Sequence, residues 1–407
     1  MPDYIVPIYT KSKAKHRRKQ LRAGFLWLLV IAGLGLLGWI LWNAGKPTEN
    51  QRATKSEGSV PTKIVERSEK PSLTDPTNVS PLTASVPAVR INSVAVPLVI
   101  KSATSRVVAT QSFLSTLENE FVPGPVQNVL EAQIAMALSG ISPGSLDGAL
   151  GSQTRGALRA FQRREKLPVT EELDAITKGR LGLNAPILTN YTVTSNDLAH
   201  LEPVSPTWLG KSQQARLDYE TILELISEKG QSHPGLIRRL NQGIDWSNIM
   251  VGARIRFPNI EYPKVNSKAA FVRISLASKF LEAFDPNTNL LAHFPCSIAQ
   301  RVEKRPAGEL HVAVIVPNPN YSFDPEVFTE SAEARELGRK LIIPPGPNNP
   351  VGSAWIGLDK PGYGIHGTPR PEEVGRTESH GCFRLANWNA EYLSRLVWIG
   401  MPVYVEP

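Results

Sequence analysis

The chain is poor in cysteine, with only Cys296 and Cys382 in 407 residues. An exported chain of this size with two cysteines is not a disulfide scaffold. Its seven histidines are scattered, without C-x-x-C or H-E-x-x-H spacing, so neither a metal nor any other cofactor is expected. Basic charge is scarce beyond the N-terminus. Residues 1–22 hold Lys11, Lys13, Lys15, Arg17, Arg18, Lys19 and Arg22 against Asp3, which accounts for +6 of the net +8. The rest of the chain carries only +2, and a nucleic-acid partner loses its main support.

What the chain does have begins with an apolar run. Residues 23–42 (AGFLWLLVIAGLGLLGWILW) contain no charge. Twenty residues of helix span about 30 Å, the thickness of a bilayer core. Trp27, Trp39 and Trp42 suit interfacial positions. A basic block precedes the run and none follows it, which predicts an N-terminus inside and the remainder outside. A cleaved signal peptide is the competing reading. The run is long for that, and no A-x-A site follows at residues 43–46. Next comes a spacer rich in Ser and Thr, in which Pro47, Pro61, Pro71, Pro76, Pro81, Pro87 and Pro97 interrupt any helix.

Val126, Val129, Leu130, Ile134, Met136 and Leu138 then recur at helical spacing. A turn at Ser142-Pro143-Gly144 and Asp147-Gly148 leads to a second helix over 152–166, which Ser152 can cap. A third helix around 173–181 completes a small three-helix module. The order Gly140, Asp147-Gly148, Gly151, Thr154, Ala157, Phe161-Gln162 and Thr177 resembles peptidoglycan-binding domain 1. Thr170-Glu171-Glu172 replaces the acidic-Gly pair that usually precedes its last helix. Phe161 and Leu158 are read as core.

Residues 191–194 read as a strand, 222–229 and 234–240 as helices, and 254–257 as a closing strand. Leu240-Asn241, Val251-Gly252 and the run from Ile255 to Pro258 resemble the closing pattern of a LysM domain, a β-α-α-β carbohydrate binder. About twenty residues between Leu201 and Glu220 exceed that family's spacing. A connecting α/β element without a ligand is the other reading.

From residue 264 onward the pattern is of strands, over 269–277, 279–283, 290–297, 310–316 and 402–405. Pro344, Pro345, Pro347 and Pro350 make a rigid loop. Asn389 can cap a helix over 390–398, and Gly400 can end it. This part reads as mainly β, a barrel or sandwich. Its chemical signal is His366-Gly367-Thr368 followed by Ser379-His380-Gly381-Cys382-Phe383-Arg384. A thiol nucleophile needs a base and backbone N–H groups aimed at the developing oxyanion. Gly381 permits close backbone approach. A cysteine flanked by Gly, His, Ser and Arg is not in an apolar core setting, whereas Cys296 reads as a packed thiol.

The pattern of a His, a variable loop and Ser-His-Gly-Cys resembles the L,D-transpeptidase (YkuD) catalytic domain. Gly364 to Thr368, Cys382 to Leu385, and the loop from Pro345 to Gly352 agree. Arg305-Pro-Ala-Gly308 is similar to the family's Thr-Pro-x-Gly turn, with Arg for Thr. The resemblance implies Cys382 as nucleophile, His366 as base, the Gly367 carbonyl as its orienter, and an oxyanion hole near Gly381 and Cys382. His380 is a further candidate of the catalytic set, with shaping of the cysteine loop by hydrogen bonds as its alternative role, and Ser379 is read as structural. Arg384, Ser379, Gly364 and Thr368 are candidate substrate contacts. Arg384 could instead lower the thiol pKa or form a structural salt bridge, and Asn348 and Asn349 shape their loop. The implied donor is a peptidoglycan stem tetrapeptide, cut between residue three and D-Ala.

The expected architecture is multidomain α+β. It comprises a basic cytoplasmic tail (1–22), a transmembrane helix (23–43), a spacer (44–120), a peptidoglycan-binding-like module (121–185), a LysM-like module (186–262) and a mainly-β YkuD-like sandwich (263–407). The expected location is the bacterial inner membrane, single-pass, with the catalyst on the wall side. The expected partners are stem peptides and glycan strands. Transpeptidation, L,D-carboxypeptidation and a non-catalytic wall anchor remain open.

Overall fold

The computed structural model describes residues 5–7, 121–328, 331–377 and 381–407. The expected transmembrane helix and spacer, and Ser379 and His380, lie outside them. Among the described residues no helix is long and apolar enough to cross a membrane. The first strand, β1 (Ile5–Pro7), is the only described part of the N-terminal tail.

The helical module consists of β2 (Gly124–Pro125), α1 (Val129–Leu138), α2 (Ser152–Arg164), α3 (Ala175–Arg180) and β3 (Gly182–Leu183). The side chain of Asn128 caps α1 and that of Asp174 caps α3. Ser152, expected as a cap, is instead the first residue of α2. Gly151 precedes it and supplies no side-chain bond. Ile134, Met136, Leu158 and Phe161 form the core. Two buried glutamines organise the loops. Gln133 accepts from Gly148 N–H (2.8 Å) and donates to Thr154 Oγ1 (2.9 Å). Gln162 accepts from the N–H groups of Thr170 (3.0 Å) and Glu171 (2.9 Å) and donates to Thr177 Oγ1 (3.0 Å). The altered second loop therefore builds the same cradle as the first. Glu171 takes φ 59° there, against 74° for Gly148 in the first loop.

In the middle module β4 (Leu188–Thr192) pairs antiparallel with β5 (Arg254–Pro258). Between them lie α4 (Ser195–Ala199), α5 (Trp208–Gln213), α6 (Ile222–Lys229) and α7 (Pro234–Leu240). Val193, Ile226, Ile237 and Ile255 fill its core. The extra residues around α5 face elsewhere. Trp208 stacks on Phe323 with centroids 4.3 Å apart, and Leu217 is fully buried in the core of the C-terminal domain. The inserted stretch thus joins the two domains.

The C-terminal domain contains β6 (Phe271–Ser275), β7 (Phe280–Phe284), β8 (Leu290–Pro295), β9 (Gly308–Pro317), β10 (Asn320–Phe323), α8 (Ala332–Leu337), β11 (Leu341–Ile343), β12 (Ala354–Leu358), β13 (Gly364–His366), β14 (Phe383–Arg384), α9 (Asn387–Leu396) and β15 (Pro402–Glu406). The expected sandwich is a single mixed sheet ordered β14-β13-β12-β9-β15-β6-β7-β8, with a small sheet β1-β10-β11 beside it. β1 runs parallel to β10, with Ile5 opposite Asn320 and Pro7 opposite Ser322. The extended Ile-Val-Pro stretch supplies backbone partners to one side of β10. Asn389, expected as a cap, is buried inside α9 and accepts from the Tyr262 hydroxyl. The helix ends at Val397, ahead of Gly400.

Strand alternation divides the domain's apolar residues between two faces. Ile356, Ile365 and Phe383 pack with Leu393 and Leu396 of α9. Trp355 belongs to a second cluster with Leu217, Phe323 and Ile343, against which Cys382 packs. The helical module is latched to the edge of the sheet. Ser142 N–H donates to the His293 carbonyl at 2.8 Å, and Arg163 of α2 pairs with the fully buried Glu282 of β7.

Candidate active site

β13 and β14 run parallel, with Ile365 opposite Phe383 and His366 opposite Arg384. Leu385 N–H donates to the His366 carbonyl at 2.8 Å, and Gly367 N–H to the Ala354 carbonyl at 3.1 Å. His366 is therefore fixed from both neighbouring segments. Cys382 directly precedes β14, which brings the two residues onto adjacent strands. Both lie on the face of the second cluster, where the His366 ring stacks on Trp355 (5.6 Å, 24°).

The tautomer of His366 follows from its partner. Nδ1 lies 2.6 Å from the Gly367 carbonyl oxygen. A carbonyl only accepts, so Nδ1 carries the proton and Nε2 keeps its lone pair. Burial pulls the imidazole down to about 4, against the Gly367 bond and with help from the Arg384 charge. At neutral pH the ring is an uncharged base.

Half-buried Cys382 is a free thiol. Its Sγ donates to the Gly362 carbonyl at 3.5 Å. Burial pushes the thiol up to about 11, although a backbone hydrogen bond from Gly364 and the nearby Arg384 both favour thiolate. Arg384 thus acts in the direction the sequence suggested, and desolvation outweighs it. At neutral pH both groups are uncharged, a thiol and an imidazole on adjacent segments of the sheet. Cys296 is a second free thiol, fully buried, with its Sγ donating to the Ser297 carbonyl.

The remaining residues of the signature have defined places. Gly364 lies beneath Trp355, where an added Cβ would sit 2.6 Å from the indole. Thr368 is buried, and its Oγ1 accepts from Arg370 N–H. Gly381 is half-buried, and among the described residues a Cβ there would meet Tyr363 at 3.7 Å. Asn349 bridges its own loop, donating to the Pro344 carbonyl and accepting from Val351 N–H. Asn348 reaches out to Glu224 of α6 at 2.7 Å.

Sequence reasoning missed Asn387 and Glu228. Asn387 Oδ1 accepts from the N–H groups of Thr368 (3.0 Å) and Ser353 (3.2 Å), and its Nδ2 donates to Glu228 Oε1 at 2.8 Å. Asn387 lies five residues past the nucleophile and carries no motif signal of its own. Glu228 sits on another module altogether. A cavity of about 590 Å³ adjoins this link, lined by Lys211, Glu224 and Glu228 on one side and Asn348, Arg370 and Glu372 on the other.

Residues 269–405 match the L,D-transpeptidase catalytic domain family, YkuD, and residues 125–181 match a peptidoglycan binding domain family. A YkuD relative assigned as an L,D-transpeptidase in Bacillus licheniformis is 24% identical over 188 residues, covering 46% of this chain and 94% of its own length. The YqjB relative of Bacillus subtilis, likewise assigned as an L,D-transpeptidase, is 35% identical over 105 residues, 25% of this chain and 51% of its own. The crystal structure of the L,D-transpeptidase from Xylanimonas cellulosilytica shares 14% identity at a TM-score of 0.30, covering 70% of this chain and all of that one. The chain therefore carries a YkuD catalytic domain, of a cysteine-dependent acyltransferase family, preceded by a peptidoglycan-binding module.

Proposed function

We propose that the protein is a peptidoglycan L,D-transpeptidase in which Cys382 is the nucleophile and His366 the base. The observation that carries this reading is the neutral imidazole, with Nδ1–H held by Gly367 and Nε2 free, one strand from a neutral thiol. Cys382 Sγ attacks the carbonyl of residue three in a stem tetrapeptide while its proton passes to His366 Nε2. Backbone N–H groups at Gly381 and Cys382 receive the oxyanion. Collapse breaks the peptide bond, and the leaving D-Ala amine takes the proton from His366. An acceptor amine then attacks the thioester, gives its proton to His366 and expels the sulfur, which is reprotonated. The product is a 3-3 cross-link or a wall-attached protein.

Tethering of the catalyst to its polymer raises the local concentration of stem peptide. The peptidoglycan-binding module supplies one tether. The middle module, with its β4-β5 pair around α6 and α7, supports a LysM-like glycan contact as a second. Residues 23–42 anchor the protein in the cytoplasmic membrane, with the catalyst on the wall side. Protease shaving of intact spheroplasts, read at tags on both termini, tests that topology. Protection of the N-terminal tag while the C-terminal one is cut would support that topology; cutting of both would overturn it and fit the pairing of residues 5–7 with β10.

The activity is tested by incubating the purified protein with disaccharide-tetrapeptide and measuring D-Ala. Release by the wild type and none by Cys382→Ala is expected. Equal release by both would remove Cys382 from the mechanism, and tripeptide without any cross-linked product would identify water as the acceptor.

A further inference from the structure

The catalytic base is steadied by a chain of hydrogen bonds that leaves the catalytic domain. His366 Nδ1–H rests on the Gly367 carbonyl, and the adjoining Thr368 N–H donates to Asn387 Oδ1. This oxygen also takes the Ser353 N–H. The fit around it is tight. A Cβ added at Gly352 would lie 2.0 Å from Asn387 Oδ1, and one added at Gly367 would lie 2.2 Å from it. The orientation of the Asn387 amide therefore sets the path of residues 366–368. That orientation is held from the other end, where Nδ2 donates to the Pro347 carbonyl (3.1 Å) and to Glu228 Oε1 (2.8 Å). Glu228 lies on α6, outside residues 269–405 that match the catalytic family.

We propose that Glu228 is a positioning residue for the reaction, through which the middle module holds Asn387 and thereby keeps His366 in its Nδ1-protonated, Nε2-accepting form. The same module grips the neighbouring loop. Leu217 N–H donates to the Pro345 carbonyl at 2.9 Å, and Asn348 N–H donates to the Leu217 carbonyl at 3.0 Å. Rotation of the Asn387 amide by half a turn would set its NH2 against the Thr368 and Ser353 N–H donors and its oxygen against two acceptors. The Glu228 carboxyl is a second acceptor beside the Pro347 carbonyl, and its loss would weaken the set of contacts that disfavours that flip. Burial and the charges of Glu224, Glu391 and Glu372 raise the Glu228 carboxyl well above its ordinary value, with the Asn387 bond opposing them. Glutamine keeps an acceptor oxygen at the same place without the charge.

The test uses the full chain with 15N-labelled histidine, His366 being assigned by its loss in His366→Gln. Long-range 1H–15N correlations report which ring nitrogen is protonated and need no substrate. The wild type and Glu228→Gln are expected to show the single Nδ1–H tautomer. Glu228→Ala and Asn387→Asp are expected to show a mixture, with kcat lowered about tenfold and KM little changed. A single tautomer and wild-type kcat in Glu228→Ala would overturn the proposal. So would a single tautomer in Glu228→Ala with only a lowered melting temperature, because the role would then be structural. Loss of the tautomer in Glu228→Gln as complete as in Glu228→Ala would overturn it as well. The kcat arm rests on the transpeptidase reading. If the wild type turns nothing over, that reading fails, while the tautomer arm still decides the proposal.

Discussion

Replacing Glu282 with Gln should unlatch the peptidoglycan-binding module from the catalytic sheet. Glu282 is fully buried in β7, and its two oxygens face Arg163 of α2, Arg273 (2.7 Å) and His293 Nδ1 (3.1 Å). Burial would raise the carboxyl, but these partners overcome it and hold it at about 2 against an ordinary 4.5. At 1.36 kcal/mol per unit, that shift corresponds to about 3 kcal/mol of folding stability at pH 7. At about 2.1 cal/mol/K per residue, that is roughly 5 °C in melting temperature for a folded region of this size. The sign follows from the depressed carboxyl. Its contribution is fully present above pH 4.5 and is lost as pH falls toward 2. Melting curves of wild type and Glu282→Gln should therefore differ most near neutrality and converge below pH 4.5. A gap that stays constant from pH 7 to pH 3, or the absence of any gap at pH 7, would refute the reasoning.

Four further outcomes are expected. Gly352→Ala introduces a Cβ 2.0 Å from Asn387 Oδ1 at a residue of φ 63°, and should cost about 2 kcal/mol or more and most of the turnover. Denaturant titration and D-Ala release measure the two effects, and a wild-type result in both would contradict the packing described. Trp208→Ala removes the indole stacked on Phe323 and should cost about 3 kcal/mol, read as an earlier unfolding of the catalytic domain in urea. With His366 at about 4, kcat/KM should rise through that pH and be level from 6 to 8. With Cys382 at about 11, alkylation of its sulfur by iodoacetamide should keep accelerating up to that pH. An acid limb near 6.5 or an alkylation plateau by pH 7 would indicate a preformed thiolate–imidazolium pair.

The parts of this molecule legible in its sequence are those fixed by local order. Apolar spacing located α6 and α7 at their observed limits, because each buries one face within its own module. The His366 and Cys382 segments stand out in the sequence by the glycine beside each, and the fold pairs them as β13 and β14. Caps were read less well. Ser152 and Asn389 have the right side chains, yet tertiary packing starts α2 at Ser152 itself and draws Asn389 into the core beneath Tyr262. The residues between Leu201 and Glu220 looked like excess in a LysM-like pattern. Their purpose depends on Phe323 and Tyr321, more than a hundred residues away, which no local pattern reports. The Glu228–Asn387 bond escaped for the same reason, and the neutral state of the Cys382 thiol depends on burial that only the folded domain reveals.

The central claim is that Cys382 carries the acyl group between donor and acceptor. Intact-protein mass spectrometry during incubation with disaccharide-tetrapeptide, followed by analysis of the muropeptides, tests it most directly. The account predicts a transient adduct of the donor less D-Ala on Cys382, then a cross-linked dimer, and neither in Cys382→Ala. A dimer formed by Cys382→Ala, or one formed by the wild type with no adduct under single-turnover conditions, would contradict it.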